Sequence, residues 1–375
     1  MFRIDCLPAE FGDALWIEYG AGVARHRVLI DCGTGAVYPR LRDRILALPG
    51  DQRRFELFVV THVDVDHIGG ALQLLRDAPT LGVSFGEIWF NGYVHLSPGG
   101  RVPPPQADDV LGPLQGEVLT ELIVASGPQR WNAAAQGRAL VVPATGPLPP
   151  LAVLPGGLTL TLLSPQQAQL DQLRPAWEAA CRKAGIVPGA ATAADDRLLD
   201  EPAESPDEED DLLGDPDVAA LAQSPFRPDR AKPNGSSIAL LAEYAGHRAL
   251  LAADAHAPVL LDAIARLADR GTGRLRVDAV KLAHHGSRGN TSLDLVRALQ
   301  CRHWLVSTNG KQFRHPDREA IARVVHAAGD AATLHFNYRT EFNDVWATSG
   351  LRRRHGYAVE FPAADGSGIS VELAG

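Results

Sequence analysis

The run Thr61-His62-Val63-Asp64-Val65-Asp66-His67-Ile68-Gly69-Gly70 puts four side chains able to ligate a metal into six positions, His62 to His67. It follows Glu56–Val60, a short apolar run expected as a buried strand, and precedes Ile68–Arg76, whose apolar spacing predicts a helix. The run is therefore expected as a strand-to-helix loop. Imidazole and carboxylate donors together suit zinc, manganese or iron; calcium prefers oxygen alone. In an extended segment His62, Asp64 and Asp66 project to one side, because side chains alternate with period two. His67 then turns onto the helix start, and Gly69-Gly70 let that helix approach the loop closely. The bland alternative is a polar loop with Asp66 as a helix cap.

A catalytic metal site draws ligands from several strand ends, and the sequence offers them. Leu250-Leu251-Ala252-Ala253-Asp254 is an apolar strand ending in an acid placed to bridge two metals; a cap for the helix after it is the alternative. Val280-Lys281-Leu282-Ala283-His284-His285-Gly286-Ser287 is another, ending in paired histidines. One imidazole there is expected on metal and the other toward substrate or leaving group, against the alternative of two core histidines. Val28-Leu29-Ile30-Asp31-Cys32-Gly33 repeats the pattern, with Asp31 as an acid that orients the loop ligands or as a plain turn aspartate.

Short apolar runs broken by Gly, Pro or Asp predict strands at Phe2–Leu7, Ala14–Tyr19 and His26–Asp31, and helical spacing begins at Tyr38–Leu48. Leu158–Leu163 and Ser237–Glu243 read as strands with a break between them. There Val187–Lys232 is rich in Pro, Ala, Asp and Glu, and is expected as a mobile acidic insertion within a single domain spanning residues 1–375. Between Asp195 and Asp217 twelve acids face one arginine; without that stretch the formal charge of -9 becomes about +2. An anionic substrate is thus neither demanded nor excluded. Strands and helices then alternate from His247 to Phe336. Two sheets packed together with helices outside, an α+β chain, is the expected class. The four cysteines lack metal-type spacing, no run approaches a membrane span, and the start does not read as a signal peptide, so a cytoplasmic chain with no membrane partner is expected.

Taken in order, Asp31, the loop from His62 to His67, Asp254 and His285 resemble the metallo-β-lactamase fold superfamily. The likeness is nearest to the soluble hydrolase domain of ComEC-type DNA-uptake proteins. It rests on HVDVDHIGG, on NGSSIALL from Asn234, on LLAAD ending at Asp254, and on KLAHHGS from Lys281. FGDALWIEYG near the start, VSTNG from Val306 and His315-Pro316 are similar too. Most of that superfamily has His at Asp64, and a further metal-binding His before the bridging aspartate. The ComEC-like branch shares the Asp64 substitution, and His95 is one candidate for the other His.

The resemblance implies a four-layer αββα sandwich with one or two divalent ions, zinc or manganese, at one edge between strand ends. His62, Asp64, Asp66, His67, Asp254 and His285 are the implied ligands, and Asp66 and His284 the catalytic side chains. Asn234 or Ser236 would complete a weak metal position, and Ser287, Asn309 and His315 would line the substrate edge. It further implies phosphodiester hydrolysis, of single-stranded DNA or a smaller nucleotide diester. A lactone, thioester or other small ester, and a non-catalytic module with a structural metal, are the alternatives. Arg352-Arg353-Arg354 offers contacts to phosphates or a solvated turn, and no basic stripe interleaved with aromatics supports strong nucleic-acid binding.

Overall fold

The computed structural model describes residues 1–22, 24–96, 112–189, 216–328, 332–364 and 366–374. Period-two alternation organises the N-terminal half. Ile4, Ile17, Val28, Ile30, Leu57 and Val59 face one side, while Trp16, Leu29 and Phe58 face the other. Both sets are buried, so these strands must be covered on two faces.

The strands are β1 (Phe2–Cys6), β2 (Leu15–Tyr19), β3 (His26–Ile30), β4 (Arg54–Val59), β5 (Ser84–Trp89), β6 (Ala152–Val153), β7 (Thr159–Ser164) and β8 (Ala239–Tyr244). They continue as β9 (His247–Leu251), β10 (Leu275–Arg276), β11 (Ala279–Lys281), β12 (Leu299–Gln300), β13 (His303–Val306), β14 (Thr333–Phe336), β15 (Ala358–Glu360) and β16 (Ile369–Ala374). One sheet has the order β16-β1-β2-β3-β4-β5 and the other β15-β14-β13-β11-β9-β8-β7-β6, with β10 and β12 a separate parallel pair. Each large sheet is antiparallel in one part and parallel in the other, the parallel runs being β3-β4-β5 and β9-β11-β13-β14-β15.

Helices cover the outer faces. On the first sheet lie α1 (Tyr38–Leu46), α2 (Val65–Leu81), α3 (Gly112–Ser126) and α4 (Gln167–Ala184), which bury Leu41, Leu72, Leu119 and Trp177 against Phe55, Phe58 and Ile88. On the second, α5 (Val218–Ala222), α6 (Lys232–Gly235), α7 (Ala257–Leu267), α8 (Leu293–Arg297) and α9 (Arg318–Ala328) follow, with Leu260, Ile264, Ile321 and Val324 in the large core. The chain closes through α10 (Glu341–Asp344) and α11 (Ser349–His355). The architecture is the αββα sandwich expected, of mixed sheets in the α+β class. Among the described residues no helix is long and apolar enough to cross a membrane.

Of the acidic stretch 187–232, residues 190–215 lie outside the described residues. Its last part is built into the molecule: Val218 and Ala222 are buried in the core, and Asp229 reaches toward His284. A composition rich in Pro and Asp there conceals two apolar anchors and one inward-facing acid.

Candidate metal centre

The parallel strands end at one edge of the sandwich, and the chain leaves three of them through left-handed residues. Asp31 after β3 has φ 56°, Ala253 after β9 has φ 48°, and His284 and His285 after β11 have φ 47° and 54°. Such backbone costs on the order of 1–3 kcal/mol per non-glycine residue and persists where the surroundings over-determine it. The turns aim Asp31, Asp254, His284 and His285 at the start of α2.

The extended geometry expected from His62 to Asp66 stops at Asp64, the last extended residue (φ -70°, ψ 141°), and the helix begins at Val65. Asp66 and His67 thus stand on its first turn, where a negative charge suits the helix N-terminus. Two glycines permit the approach expected of them: a Cβ on Gly69 would lie 2.7 Å from Gly35 N, and one on Gly70 2.4 Å from Cys32 O. Gly12 does the same from the β1–β2 loop, where a Cβ would meet Asp66 O at 1.8 Å.

Asp254 Oδ2 is the centre. Around it lie four imidazole Nε2 atoms: His67 at 3.4 Å, His285 at 3.6 Å, His62 at 3.8 Å and His284 at 3.8 Å. Asp66 Oδ2 stands 3.1 Å from His285 Nε2 and 3.6 Å from His67 Nε2. The opposite ring nitrogens are all tied back. His67 Nδ1 donates to Asp31 Oδ2 (2.8 Å), and His285 Nδ1 to Ser307 O (2.8 Å). His62 Nδ1 meets Thr61 Oγ1 (3.1 Å), whose own proton goes to Asp31 Oδ2 (2.7 Å). Carboxylates and carbonyls only accept, so each Nδ1 carries a proton, which leaves each Nε2 able to offer a lone pair to a cation.

Those inward atoms include buried ones without a hydrogen-bond partner: His62 Nε2, His67 Nε2 and Asp254 Oδ1. Unpartnered buried polar atoms are costly, and converging ones suit a cation. A tetrahedral ion bound at about 2.0–2.1 Å holds its donor atoms about 3.3 Å apart, close to the spacing here. Four donor groups fall within one ion's reach: His62, His67 and Asp254; Asp66, His67 and His285; Asp13, Asp31 and His67; and Asp13, Asp254 and His285. Without a cation the charges balance through protons. Burial alone would lower the His67 and His285 pKa values, yet Asp254 chiefly raises both. Burial would raise those of Asp66 and Asp254, yet the facing imidazoles lower both.

His284 differs from its neighbour. Its Nδ1 donates to Asn290 Oδ1 (3.0 Å) with Asp229 Oδ2 at 3.5 Å, and 22% of its side chain is exposed. Burial opposes protonation, but Asp254 and Asp229 lift its pKa to about 9.

The other expected residues distribute unevenly. Asp64 stands at the rim, 32% exposed, reaching only His62 Nε2 at 3.5 Å. Asn234 donates to Asp229 Oδ2 (2.8 Å) and so acts beside the cluster, not within it. Ser236 is spent on its own turn, donating to Pro233 O (2.6 Å), and Asn309 accepts from Lys311 N (3.0 Å) in another. Neither joins the cluster, because short polar side chains close local turns first. Ser287 Oγ accepts from Gly289 N (3.2 Å), while the His315 ring packs edge-on against His284 at 5.3 Å. His95 is elsewhere: it caps a turn through Gly92 N (3.1 Å), packs on Trp131, and burial lowers its pKa to about 4. Arg352, Arg353 and Arg354 sit in the last turn of α11, where cations complement the helix dipole. That turn leads into the start of β15, the sheet end away from the cluster.

Sequence reasoning missed Asp13 and Asp229. Asp13 pairs with buried Lys281 and lies 3.3 Å from His285 Nδ1. The signal was an acid directly after Gly12 and before an apolar strand, with the only lysine of the second-half strand ends at Lys281.

Residues 9–128, about a third of the chain, match the family model described as the metallo-beta-lactamase superfamily. That segment holds Asp31 and the candidate ligands from His62 to His67 but not Asp254, His284 or His285. Among solved structures, the chain is similar to zinc-bound PqqB from Methylobacterium extorquens, at 13% identity and a TM-score of 0.41, covering 99% of this chain and 100% of that one. No curated protein matches the chain. Donor set and family match together give the chain one or two divalent metal ions as its cofactor.

Proposed function

We propose that this chain is a metal-dependent hydrolase whose target is a phosphodiester. The observation that carries the reading is the Asp254 carboxylate ringed by four Nε2 atoms, each imidazole held from behind by a hydrogen-bond acceptor. His67, His285, Asp66 and Asp254 would hold one ion, and His62 with Asp254 and the rim carboxylate Asp64 a second, weaker one. A divalent ion bound there lowers the pKa of water toward neutrality and draws charge from the transferring centre.

The chain's own groups do the rest. Asp31 holds His67 in the tautomer that ligates. Asp66 orients the attacking water from the helix start. His284, partly open to solvent and held through Nδ1 by Asn290 and Asp229, is placed to give an Nε2 proton to the leaving oxygen. Mixed oxygen and nitrogen donors admit manganese as well as zinc. The likeness of HVDVDHIGG and KLAHHGS to ComEC-type domains supports a phosphodiester over a lactone or thioester. Four unpaired cysteines fit a reducing interior such as the cytoplasm.

The test is degradation of labelled single-stranded DNA and of a small nucleotide diester by protein loaded with zinc or manganese, beside Asp66→Asn. Metal-dependent cleavage that vanishes in the variant supports the reading. Folded, metal-loaded protein that cleaves neither substrate ends it, and cleavage of a small ester instead moves the assignment to that bond.

A further inference from the structure

A file of aromatic rings leads from the surface to the metal cluster. Phe11 packs edge-on against Phe313 (5.9 Å between centroids), Phe313 neighbours His315 (6.2 Å), and His315 packs on His284 (5.3 Å). His284 in turn adjoins His285 (5.8 Å). The outer end of the file is open. Phe313 is 38% exposed and is the one aromatic among the exposed large apolar side chains of the described residues.

Both phenyl rings stand on loops that the site itself fixes. Phe11 precedes Gly12, whose backbone presses on Asp66. Phe313 lies on the turn from Asn309 to His315 after β13, shaped by left-handed Gly310 and by Arg314, whose guanidinium lies over the Phe342 ring (5.5 Å). A Cβ on Gly310 would meet Phe342 at 2.4 Å, so this turn has little room to relax. Lys311, two positions before Phe313 on the same turn, is exposed and brings a positive charge to it. An exposed phenyl costs solvation, and an apolar ring joined to the cluster through His315 and His284, with a lysine on its own turn, suits an aromatic base carried on a phosphate.

We propose that Phe313, backed by Phe11, is a stacking platform for the base of a nucleotide whose phosphate lies at the metal cluster, with Lys311 facing that phosphate's charge. The assignment rests on the phosphodiester reading above and names its substrate class. Stacking on an aromatic side chain tolerates any base, so the platform favours nucleotides without selecting a sequence.

Binding to the zinc-loaded full chain is measured by calorimetry with adenosine 5′-monophosphate and with ribose 5-phosphate, which lacks the base. Wild type is expected to favour the nucleotide roughly ten-fold or more, the scale of one stacked base. Phe313→Ala should bring the two ligands within about two-fold of each other, and Phe313→Trp should keep the preference. Equal binding of both ligands by wild type, a preference that survives in Phe313→Ala, or no binding of either overturns the platform. Turnover of a dinucleotide with one base removed separates the two claims. Cleavage of it by wild type and Phe313→Ala alike leaves the hydrolase standing whatever becomes of the platform. No cleavage of any phosphodiester ends the hydrolase reading, and a preference for the nucleotide that depends on Phe313 would then still stand for a nucleotide site.

Discussion

Asp31→Asn separates charge and hydrogen-bond polarity from shape. Asp31 is fully buried and accepts three hydrogen bonds: Oδ1 from Thr61 N (2.8 Å), Oδ2 from Thr61 Oγ1 (2.7 Å) and from His67 Nδ1 (2.8 Å). Asparagine has the same outline and tolerates the left-handed backbone at this position. Its amide must put a donor on one side. If NH2 takes the Oδ2 place, it faces His67 Nδ1, which must then give up its proton. The proton moves to Nε2, the atom that points at Asp254, and the ring can no longer ligate. If NH2 takes the Oδ1 place, it opposes Thr61 N–H, leaving buried donors unmatched at about 1–3 kcal/mol. Either outcome weakens the metal site. The expected fall in metal affinity is about 10–100-fold, or roughly 1.4–2.8 kcal/mol, read by competition with a chromogenic chelator. Thermal unfolding of metal-free protein should show a loss no larger than about 3 kcal/mol. Asp31→Asn protein that is folded and holds metal as tightly as wild type would refute the tautomer argument.

Protons and metal compete for the same nitrogens, so pH tests the cluster. His284 has a folded pKa of about 9 against 6.5 unperturbed, so its contribution to stability is full below about 6.5 and is lost as pH rises through 9. His67 and His285 are raised in the same sense. Metal-free protein should therefore lose about 1–3 kcal/mol of unfolding free energy between pH 6.5 and 9, while metal affinity rises over the same range; a flat urea-denaturation series contradicts this. Asp66 and Asp254 are lowered, so their contribution is present above the ordinary carboxylate range and lost on acidification. Gly12→Ala puts a methyl 1.8 Å from Asp66 O and must break the Asp13 N to Asp66 O hydrogen bond (3.2 Å). It should cost at least about 1–3 kcal/mol and lower metal content at equilibrium, and a wild-type melting temperature would refute the close approach. Lys281→Met strands buried Asp13 and should cost about 3–5 kcal/mol in denaturant unfolding. Adding Asp13→Asn should restore part of that loss, whereas simple addition of the two effects would show that the pair is not coupled.

Much of this was legible in the residues because the fold writes its ligands at strand ends. An apolar run that closes on Asp31, His62, Asp254 or His284-His285 carries its own marker of place, since in a sheet of parallel strands all such ends meet at one edge. The helix start was harder. Asp64 and Asp66 look equivalent two positions apart, and only the backbone turning helical at Val65 puts Asp66 inside and leaves Asp64 at the rim. Asn309 and Ser236 are harder to place from sequence for a related reason: short polar side chains near a site are as able to close a turn, as both do here, as to face a substrate. Asp229 was hidden by its neighbours, lying at the end of a stretch whose acidic composition argues for solvent. Asp13 contacts Lys281 across 268 positions, a pairing that no local pattern encodes.

The two sheets each contribute one part of the centre. Asp13, Asp31, His62, Asp66 and His67 belong to loops and a helix of the first sheet, and Asp254, His284 and His285 to strand ends of the second. Direct bonds between them are concentrated beside the cluster. Lys281 pairs with Asp13, Ser307 Oγ donates to Gly12 O (2.8 Å), and Asn337 Nδ2 donates to Leu7 O (2.9 Å) and to Ser307 Oγ (3.0 Å). Ser307 also accepts from His285 through its carbonyl, so one residue fixes a ligand and joins the sheets. The site therefore forms only when the sandwich closes. A ligand that binds only the closed form stabilises it by mass action, so an ion held, as proposed, between Asp66 and His67 on one side and Asp254 and His285 on the other would act as a clasp. The left-handed turns at Ala253, His284 and His285 aim the second sheet's share of the donors at the first.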